Sequence, residues 1–553
     1  MQIILDFITA RTASARRDLS LLTLIFGAAF FQFLGRYPLI EPDEGRYSEI
    51  PREMLERGDF VTPLLNYVKY FEKPPLHYWL NAISFTLFGQ NEFAARFAGA
   101  LCGLLSVLFT YYLGRRLFER RVGVLAAMIL GSAGGFLVQA RINITDMTLT
   151  FCMTVCLGSF ILALRDAGPR KVLFYHIFYL FAALAVLAKG LIGLLFPGAI
   201  IFLFMLLRKR WGVLREMHLS TGIPLFFLAA APWFVLVSRQ NPEFARFFFI
   251  HEHFERFLTK VHQRYQPLWF FLPVLLGTML PWSFFIPEAL RRAWRERRSE
   301  HGDTLAWLAI WALFIFLFFS KSNSKLVPYI LPVFPPLALL IAWRCHAALE
   351  EGLGQLKGYA VALAVVLFVV GCGLPLYPLL ASKNDLGLAG GIVLGTIFLL
   401  EGAGAVAAIR CRSTIGLLLT LALCSAWFAI LGPHFVYARI AERRTNKPLA
   451  LLVREQAPPE AFVATFGYEQ TVPFYTGRRV IVVGNMGELD FGSRQGDQTA
   501  WFIDSPAFQR LWDGDRQLFV VLRREELAQF TPTVRTQARI VGETARRVLA
   551  TNR

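Results

Sequence analysis

The stretch Glu41-Pro42-Asp43-Glu44-Gly45-Arg46-Tyr47 sets three carboxylates, a guanidinium and a phenol directly after the chain's first long apolar segment. Charge at a membrane surface is costly to keep unless something uses it. Asp43 and Glu44 admit two readings. They are acids of a helix N-cap and first turn, which the helix dipole favours, or carboxylates aimed at a reacting or cationic group. In the second reading Arg46 and Tyr47 supply anionic and ring contacts beside them. About thirty residues on comes Tyr70-Phe71-Glu72-Lys73-Pro74-Pro75, where two prolines stiffen the backbone that carries Glu72 and Lys73. Lys73 is either a partner for a lipid phosphate or a snorkelling side chain. Tyr70 is a candidate substrate contact, although Tyr70, Tyr78 and Trp79 also fit an aromatic belt. Together the clusters suggest a lipid-facing active site rather than a channel wall.

Further candidates lie in other outer segments. Asp146, after Arg141-Ile142-Asn143-Ile144-Thr145, either caps the next helix or is a second carboxylate for the site. Lys189 and Lys325 sit in outer turns and are available for phosphate contacts. His251 and His253 form an H-x-H pair, which by spacing alone is a weak metal signal. Arg256, Lys260, His262 and Arg264 make the same loop basic, suited to anionic headgroups.

These groups need a scaffold, and the composition says which. Of 553 residues 55% are hydrophobic and only 17% charged, with mean hydropathy +0.48. Apolar stretches near the ~20 residues needed to cross a bilayer read at 21–40, 94–114, 122–140, 147–165, 172–188, 190–207, 221–238, 268–289, 304–320, 326–343, 358–380, 387–409 and 413–432. That pattern predicts a polytopic α-helical membrane protein with about thirteen spanning helices. The first segment has full spanning length and no A-x-A-like site, so it reads as a retained helix. The net charge of +18 is spread over short loops between apolar segments, among them Arg115/Arg116/Arg120/Arg121 and Arg208/Lys209/Arg210. This is the positive-inside pattern and excludes nucleic acid as the explanation of the charge. The seven cysteines form no disulfide framework.

The first outer loop, 41–92, predicts two short helices. Tyr47, Ile50, Met54 and Leu55 recur at helical spacing up to Gly58, giving an amphipathic helix fit to lie in the interface. Leu76 to Phe88 is apolar, opened by Pro74-Pro75 and too short to span. From about Val436 the composition changes. Runs at 461–465, 480–483 and 518–522 read as buried strands, with a helix over Ser505 to Trp512. The expected division is therefore a transmembrane catalytic domain, 1–435, and a small outer α/β domain, 436–553. Gly484-Asn485-Met486-Gly487 reads as a strand-end turn, and no nucleotide cofactor is expected.

With the motifs in view, the chain resembles the lipid-dependent, GT-C type membrane glycosyltransferases. More narrowly, Glu41 to Tyr47, Tyr70 to Trp79 and Arg141 to Asp146 look like the 4-amino-4-deoxy-L-arabinose lipid A transferase family, a relative of the protein O-mannosyltransferases. The resemblance implies transfer of that pentose from undecaprenyl phosphate to a lipid A phosphate on the periplasmic side of the bacterial inner membrane. It also implies resistance to polymyxin and cationic antimicrobial peptides. By the same resemblance Asp43 matches the essential carboxylate and Asp146 a second acidic position, and Lys73 lies near the carrier phosphate. Glu72 and His253 look like the pair that holds a zinc ion. The substrate contacts are then Arg46, Tyr47, Tyr70, Lys73, Arg256 and Lys189. The implied partners are the undecaprenyl phosphate-linked sugar, lipid A and membrane lipids, with a monomer expected.

Two other readings are open. One is a different lipid-linked glycosyltransferase, moving mannose or galacturonic acid to protein or lipopolysaccharide core. The other is a polyprenyl lipid transporter, which the scarcity of charge in the middles of the spans opposes.

Overall fold

The computed structural model describes residues 14–255, 266–381, 385–527 and 538–553, with the side chains of 252–255 outside the description. Two compact units result: Met1–Gln32 with Gly99–Phe435, and Phe33–Ala98 with Val436–Arg553. The outer-loop segment expected within the 1–435 domain thus packs with the C-terminal part of the chain. The boundary near residue 98 falls inside one continuous helix, Glu92–Leu117.

The first unit is helical. Among the described residues nine helices are long and apolar enough to cross a membrane, from Glu92–Leu117 to Thr414–Arg444. A pair, Phe271–Thr278 and Trp282–Arg295, bent by 113°, makes a tenth if taken as one span. The other three of the about thirteen expected spans are shorter helices. Ile192–Arg208 and Ala15–Phe31 have 17 residues each, and Arg120–Ser132 has 13 before a break. Two of these ends have a local cause. The first helix ends at Phe31, where Arg141 donates to the carbonyls of Ala29 and Gln32 at 3.2 and 2.6 Å, meeting acceptors that a helix end leaves open. The break at Ala133 frees the Gly134 N–H, which donates to Leu280 O at 3.0 Å, and a Cβ on Gly135 would lie 2.4 Å from the Thr278 side chain. Part of the basic excess is also paired. Arg120 binds Asp18 in a buried bridge, and Arg208 and Arg210 share Asp303.

In the second unit the helix Asp43–Arg57 stops at Gly58, whose φ of 66° is left-handed. It does not lie half-exposed in an interface. Residues Glu44 to Met54 are all buried, because the helix is packed between Leu76–Phe88 and Thr471–Thr476. Gly45 makes the second contact close, since a Cβ there would sit 2.7 Å from the Gln470–Thr471 backbone. A hairpin of β1 (Leu64–Leu65) and β2 (Val68–Lys69) follows, turning through Asn66 and Tyr67 at positive φ. Asn66 accepts from Val480 N and donates to Val480 O, both at 2.9 Å, so one buried amide ties the loop to the strand edge of the C-terminal part.

That part is a six-stranded sheet. β3 (Phe462–Phe466), β4 (Ile481–Val483), β5 (Phe502–Ile503) and β6 (Leu518–Arg523) run parallel in the order β5-β4-β3-β6. β8 (Arg547–Thr551) and then β7 (Arg539–Glu543) extend it antiparallel beyond β6. One face buries Ala464, Ile481, Val520 and Leu522 under Phe508 and Trp512 of the helix Ser505–Trp512. Asp504 caps that helix by accepting from Ala507 N at 2.8 Å.

Candidate active site

The acidic cluster that opens the outer loop divides its labour. Glu44 is structural. Arg96, fully buried, donates to both of its oxygens at 2.8 Å, and Tyr437 OH and Ile40 N add bonds at 2.9 and 3.0 Å. The other donors of Arg96 go to the carbonyls of Leu34, Tyr37 and Pro38. Glu41 is structural as well. It accepts from Gln470 N at 3.0 Å, Thr471 N at 2.7 Å and Asn446 Nδ2 at 3.0 Å, and from the Thr471 hydroxyl. Asn446 also donates to Glu469, which Arg547 grips with two bonds.

Burial, and then the Glu469 carboxylate, push Glu41 up to about 8 against the opposing hydrogen bonds from Thr471 and Asn446. The Thr471 hydroxyl can donate to the ionised form and accept from the protonated one. A folded value above the unfolded one means that the folded state holds the proton more tightly. Stability from this group is full below about pH 4.5 and is lost as pH rises to about 8, on the order of a few kcal/mol. The melting temperature of the detergent-solubilised protein should therefore fall across pH 5 to 8.5 more steeply than that of Glu41→Gln. Parallel slopes would remove Glu41 as the cause.

Asp43 alone of the three acids faces outward. It is the first residue of its helix, the N-cap being Pro42, and makes no side-chain cap, so of the bland reading only the first-turn acid holds for it. Its side chain is 51% exposed and accepts from Arg46 Nη1 at 2.9 Å. Arg46, one helical turn on, is buried, and its Nε faces the Glu488 carboxylate as an ion pair rather than an aligned hydrogen bond. Burial works against the Arg46 charge, but Glu488, Tyr70 and Asp43 more than offset it and hold the guanidinium well above its ordinary value. Glu488 accepts from Gln470 Nε2 at 2.7 Å. It is pushed upward by burial and by the carboxylates of Glu72 and Asp43, against the pull of Arg46.

Two phenols complete this set. Tyr70 and Tyr78 are fully buried, and neither hydroxyl has a hydrogen-bond partner among the described residues. Burial raises both, with Glu72 and Glu488 adding and Arg46 subtracting, so they stand in the field of the same charges. A buried orphan hydroxyl is costly, and two of them beside one guanidinium fit a place where a polar ligand binds. Neither belongs to an aromatic belt. The Tyr47 ring packs edge-on against His77 at 5.8 Å and lies 6.2 Å from Tyr78, with the Arg46 guanidinium 5.6 Å from its centre. Lys73 is half-buried, and its ammonium donates to Glu72 O at 2.8 Å.

Asp146 and Lys189 lie in the first unit and form a buried ion pair with each other. Asp146 is in the first turn of Thr145–Arg165, whose N-cap is Ile144, and Lys189 is the last residue of Arg170–Lys189. The Lys189 ammonium also stands 4.5 Å from the centre of the Tyr329 ring. Lys325 donates to Gln266 O at 2.7 Å and Ser322 O at 2.5 Å. The His253 side chain and Arg256 lie outside the description. Among the described residues no three His, Cys, Asp or Glu side chains gather as a metal site requires.

Residues 72–236 match the family model described as dolichyl-phosphate-mannose-protein mannosyltransferase, and 449–552 match the aminoarabinose transferase C-terminal domain. An undecaprenyl phosphate-alpha-4-amino-4-deoxy-L-arabinose arabinosyl transferase of Erwinia tasmaniensis is 32% identical over 489 residues, 85% of this chain and 86% of that protein. The second such transferase of Pseudomonas fluorescens is 38% identical over 359 residues, 65% of each chain. Among solved structures, ArnT from Cupriavidus metallidurans bound to undecaprenyl phosphate superposes with a TM-score of 0.86 at 29% identity, covering 98% of this chain and 99% of that one. The Archaeoglobus fulgidus oligosaccharyltransferase AglB, at a TM-score of 0.55 and 14% identity over 92% and 69%, shares the fold alone.

Fold and site together define a multi-pass membrane glycosyltransferase of the GT-C type, with a small α/β C-terminal domain. Within that class, the chain belongs to the undecaprenyl phosphate-aminoarabinose transferase family.

Proposed function

We propose that this chain, acting as a monomer, transfers 4-amino-4-deoxy-L-arabinose from undecaprenyl phosphate to a lipid A phosphate at the periplasmic face of the inner membrane. The observation that carries the reading is one continuous likeness, over 85% of the chain, to a transferase named for that donor. The geometry supports it. Asp43 is presented outward from a buried helix, with Arg46 beneath it and, in reach of the same charges, two phenols without a hydrogen-bond partner among the described residues. In the reaction the bond from the anomeric carbon to the carrier phosphate breaks and a bond to an acceptor phosphate oxygen forms. Attack from the opposite face inverts that carbon. Lys73 and Arg46 offer positive charge to the departing phosphate. The acceptor phosphate is already ionised, so Asp43 is not required as a base and instead orients the donor or acceptor.

On the resemblance alone we also propose that Glu72 and His253 hold a zinc ion. Elemental analysis of the purified protein should give zinc that is lost in Glu72→Gln, and equal metal content in both would end that assignment. Mass spectrometry of lipid A from cells with and without the chain tests the function. Aminoarabinose-modified lipid A should depend on the chain, and an unchanged signal would defeat the reading.

A further inference from the structure

The helix Asp43–Arg57 buries a second pair of acids beyond Arg46. Glu49 and Glu53 stand at i and i+4 on one face, 0% and 1% exposed. Arg52 grips Glu49 with a fork, Nε to Oε2 at 2.7 Å and Nη2 to Oε1 at 2.6 Å. Glu53 Oε2 accepts from Tyr67 N at 3.0 Å, while its Oε1 is buried without a donor among the described residues. The Glu49 carboxyl lies in hydrogen-bond contact with Glu53. Two carboxyl groups can bond each other only if one carries a proton. Arg52 favours the ionised form of Glu49, so the proton belongs on Glu53 Oε1, where it also satisfies that oxygen. Burial, and then Glu49, push Glu53 well above the ordinary carboxylate range, against the pull of Arg52. Two groups of the C-terminal part face the pair. The Tyr468 hydroxyl, raised by burial and then by Glu49 and Glu53, has no hydrogen-bond partner among the described residues. Burial lowers Arg479, and Glu53 and Tyr67 oppose it.

What Glu53 holds is the tip of the β1–β2 hairpin. Tyr67 sits there at φ 60°, its N–H on Glu53, its hydroxyl donating to Glu56 at 2.6 Å, and its ring centre 5.8 Å from the Arg52 guanidinium. The hairpin runs straight into Tyr70, whose N–H donates to Pro63 O at 3.0 Å, and on to Glu72 and Lys73. The clamp thus ties the segment that serves the carrier phosphate to the helix that presents Asp43 and Arg46. Resting on the proposed function, we propose that Glu53 is a positioning residue: it donates a retained proton to Glu49 and in that form holds the Tyr67 hairpin, and with it Tyr70 and Lys73, against the Asp43 helix. Loss of the proton sets two buried carboxylates against each other. Arg52 keeps Glu49 in place, so Glu53 is the one that turns away, and the Tyr67 N–H loses its acceptor. Because the folded state holds this proton more tightly than the unfolded one, the clamp is closed at low pH. It opens as pH rises through the raised folded value.

The test uses the purified full-length protein and reads binding of undecaprenyl phosphate alone and transfer to lipid A over about pH 6 to 10. In Glu53→Gln the side-chain amide donates to Glu49 and accepts from Tyr67 at every pH, so it copies the protonated clamp. The wild-type Kd for undecaprenyl phosphate and KM for the donor should rise by about 10-fold at the alkaline end, and Glu53→Gln should lose most of that rise. Groups that titrate in both proteins, Glu41, Lys73 and the donor ammonium among them, cancel in the comparison. Glu53→Ala should show the raised Kd and KM already at neutral pH, with kcat changed by less than about threefold. Recovery of both by glutamine marks a positioned hydrogen bond rather than a filled volume. If the alanine variant does not fold, the pH profile of the glutamine variant decides alone. Superimposable profiles of wild type and Glu53→Gln would overturn the inference, as would a fall in kcat with Kd and KM unmoved. Failure of wild type to bind undecaprenyl phosphate or to transfer the sugar would instead bring down the proposed function, and the inference with it.

Discussion

Asp43→Asn should lower kcat/KM for sugar transfer by about 10²- to 10³-fold in the purified enzyme, the range seen when one preorganised electrostatic contact is removed from an active site. The same variant should melt within about 1 °C of wild type, since loss of a half-exposed charge pair costs little. The two expectations are separable because the structure has separated the acids. Glu41 and Glu44 are spent on holding the loop, through the Gln470–Thr471 backbone and Arg96 respectively. Among the described residues Asp43 bonds Arg46, and Arg46 keeps Glu488 when Asp43 is neutralised. Glu44→Gln supplies the opposite control. It weakens a buried, bidentate bridge and should unsettle the fold first, with activity lost along with structure. Near-normal transfer by Asp43→Asn would remove Asp43 from every version of the mechanism, whether it orients the acceptor or helps to hold the donor ammonium.

What could be read in advance, and what could not, follows from the range of the forces involved. Leu76–Phe88 and Ser505–Trp512 appear at the expected residues because their signals are local: a proline pair before one, Asp504 and a proline at the start of the other. The strands at 462–466, 481–483 and 518–523 are apolar runs bounded by turns, and these too are local. β7 and β8 carry arginine, glutamate and threonine, and β7 is largely exposed, so nothing in their composition marks them. The hairpin at 64–69 has two-residue strands and a turn of Asn66-Tyr67, without the glycine that usually signals such a turn. The helix Asp43–Arg57 has an amphipathic pattern that fits an interface. What buries its polar side, Gln470 and Thr471, lies over 400 residues away in the chain. Glu488 was hidden for the same reason, one position beyond a glycine-rich turn that reads as plain. The one available hint was that its turn follows a buried strand, where α/β sheets present functional groups.

The pairing of Asp146 with Lys189 is the long-range contact with the most to lose. Lys189→Met should leave a buried carboxylate without its cation and destabilise the protein by about 3–5 kcal/mol. This reads as a clear drop in melting temperature in detergent. Adding Asp146→Asn to Lys189→Met removes the stranded charge, and most of that stability should return, because two neutral side chains of similar size avoid the desolvation that the pair has to offset. Activity should behave differently. If the bridge serves only to join Thr145–Arg165 to Arg170–Lys189, the double variant recovers transfer together with its melting temperature. The sequence motif that ends at Asp146 argues for more than joining. Its Arg141 is already occupied in closing the first helix, which leaves Asp146, paired with Lys189, as the motif's other charged group. The double variant is therefore expected to be folded and at least about 10²-fold slower. A stable double variant with wild-type transfer would assign Asp146 and Lys189 to the scaffold and leave Asp43, Arg46 and the loop around them as the centre of the chemistry.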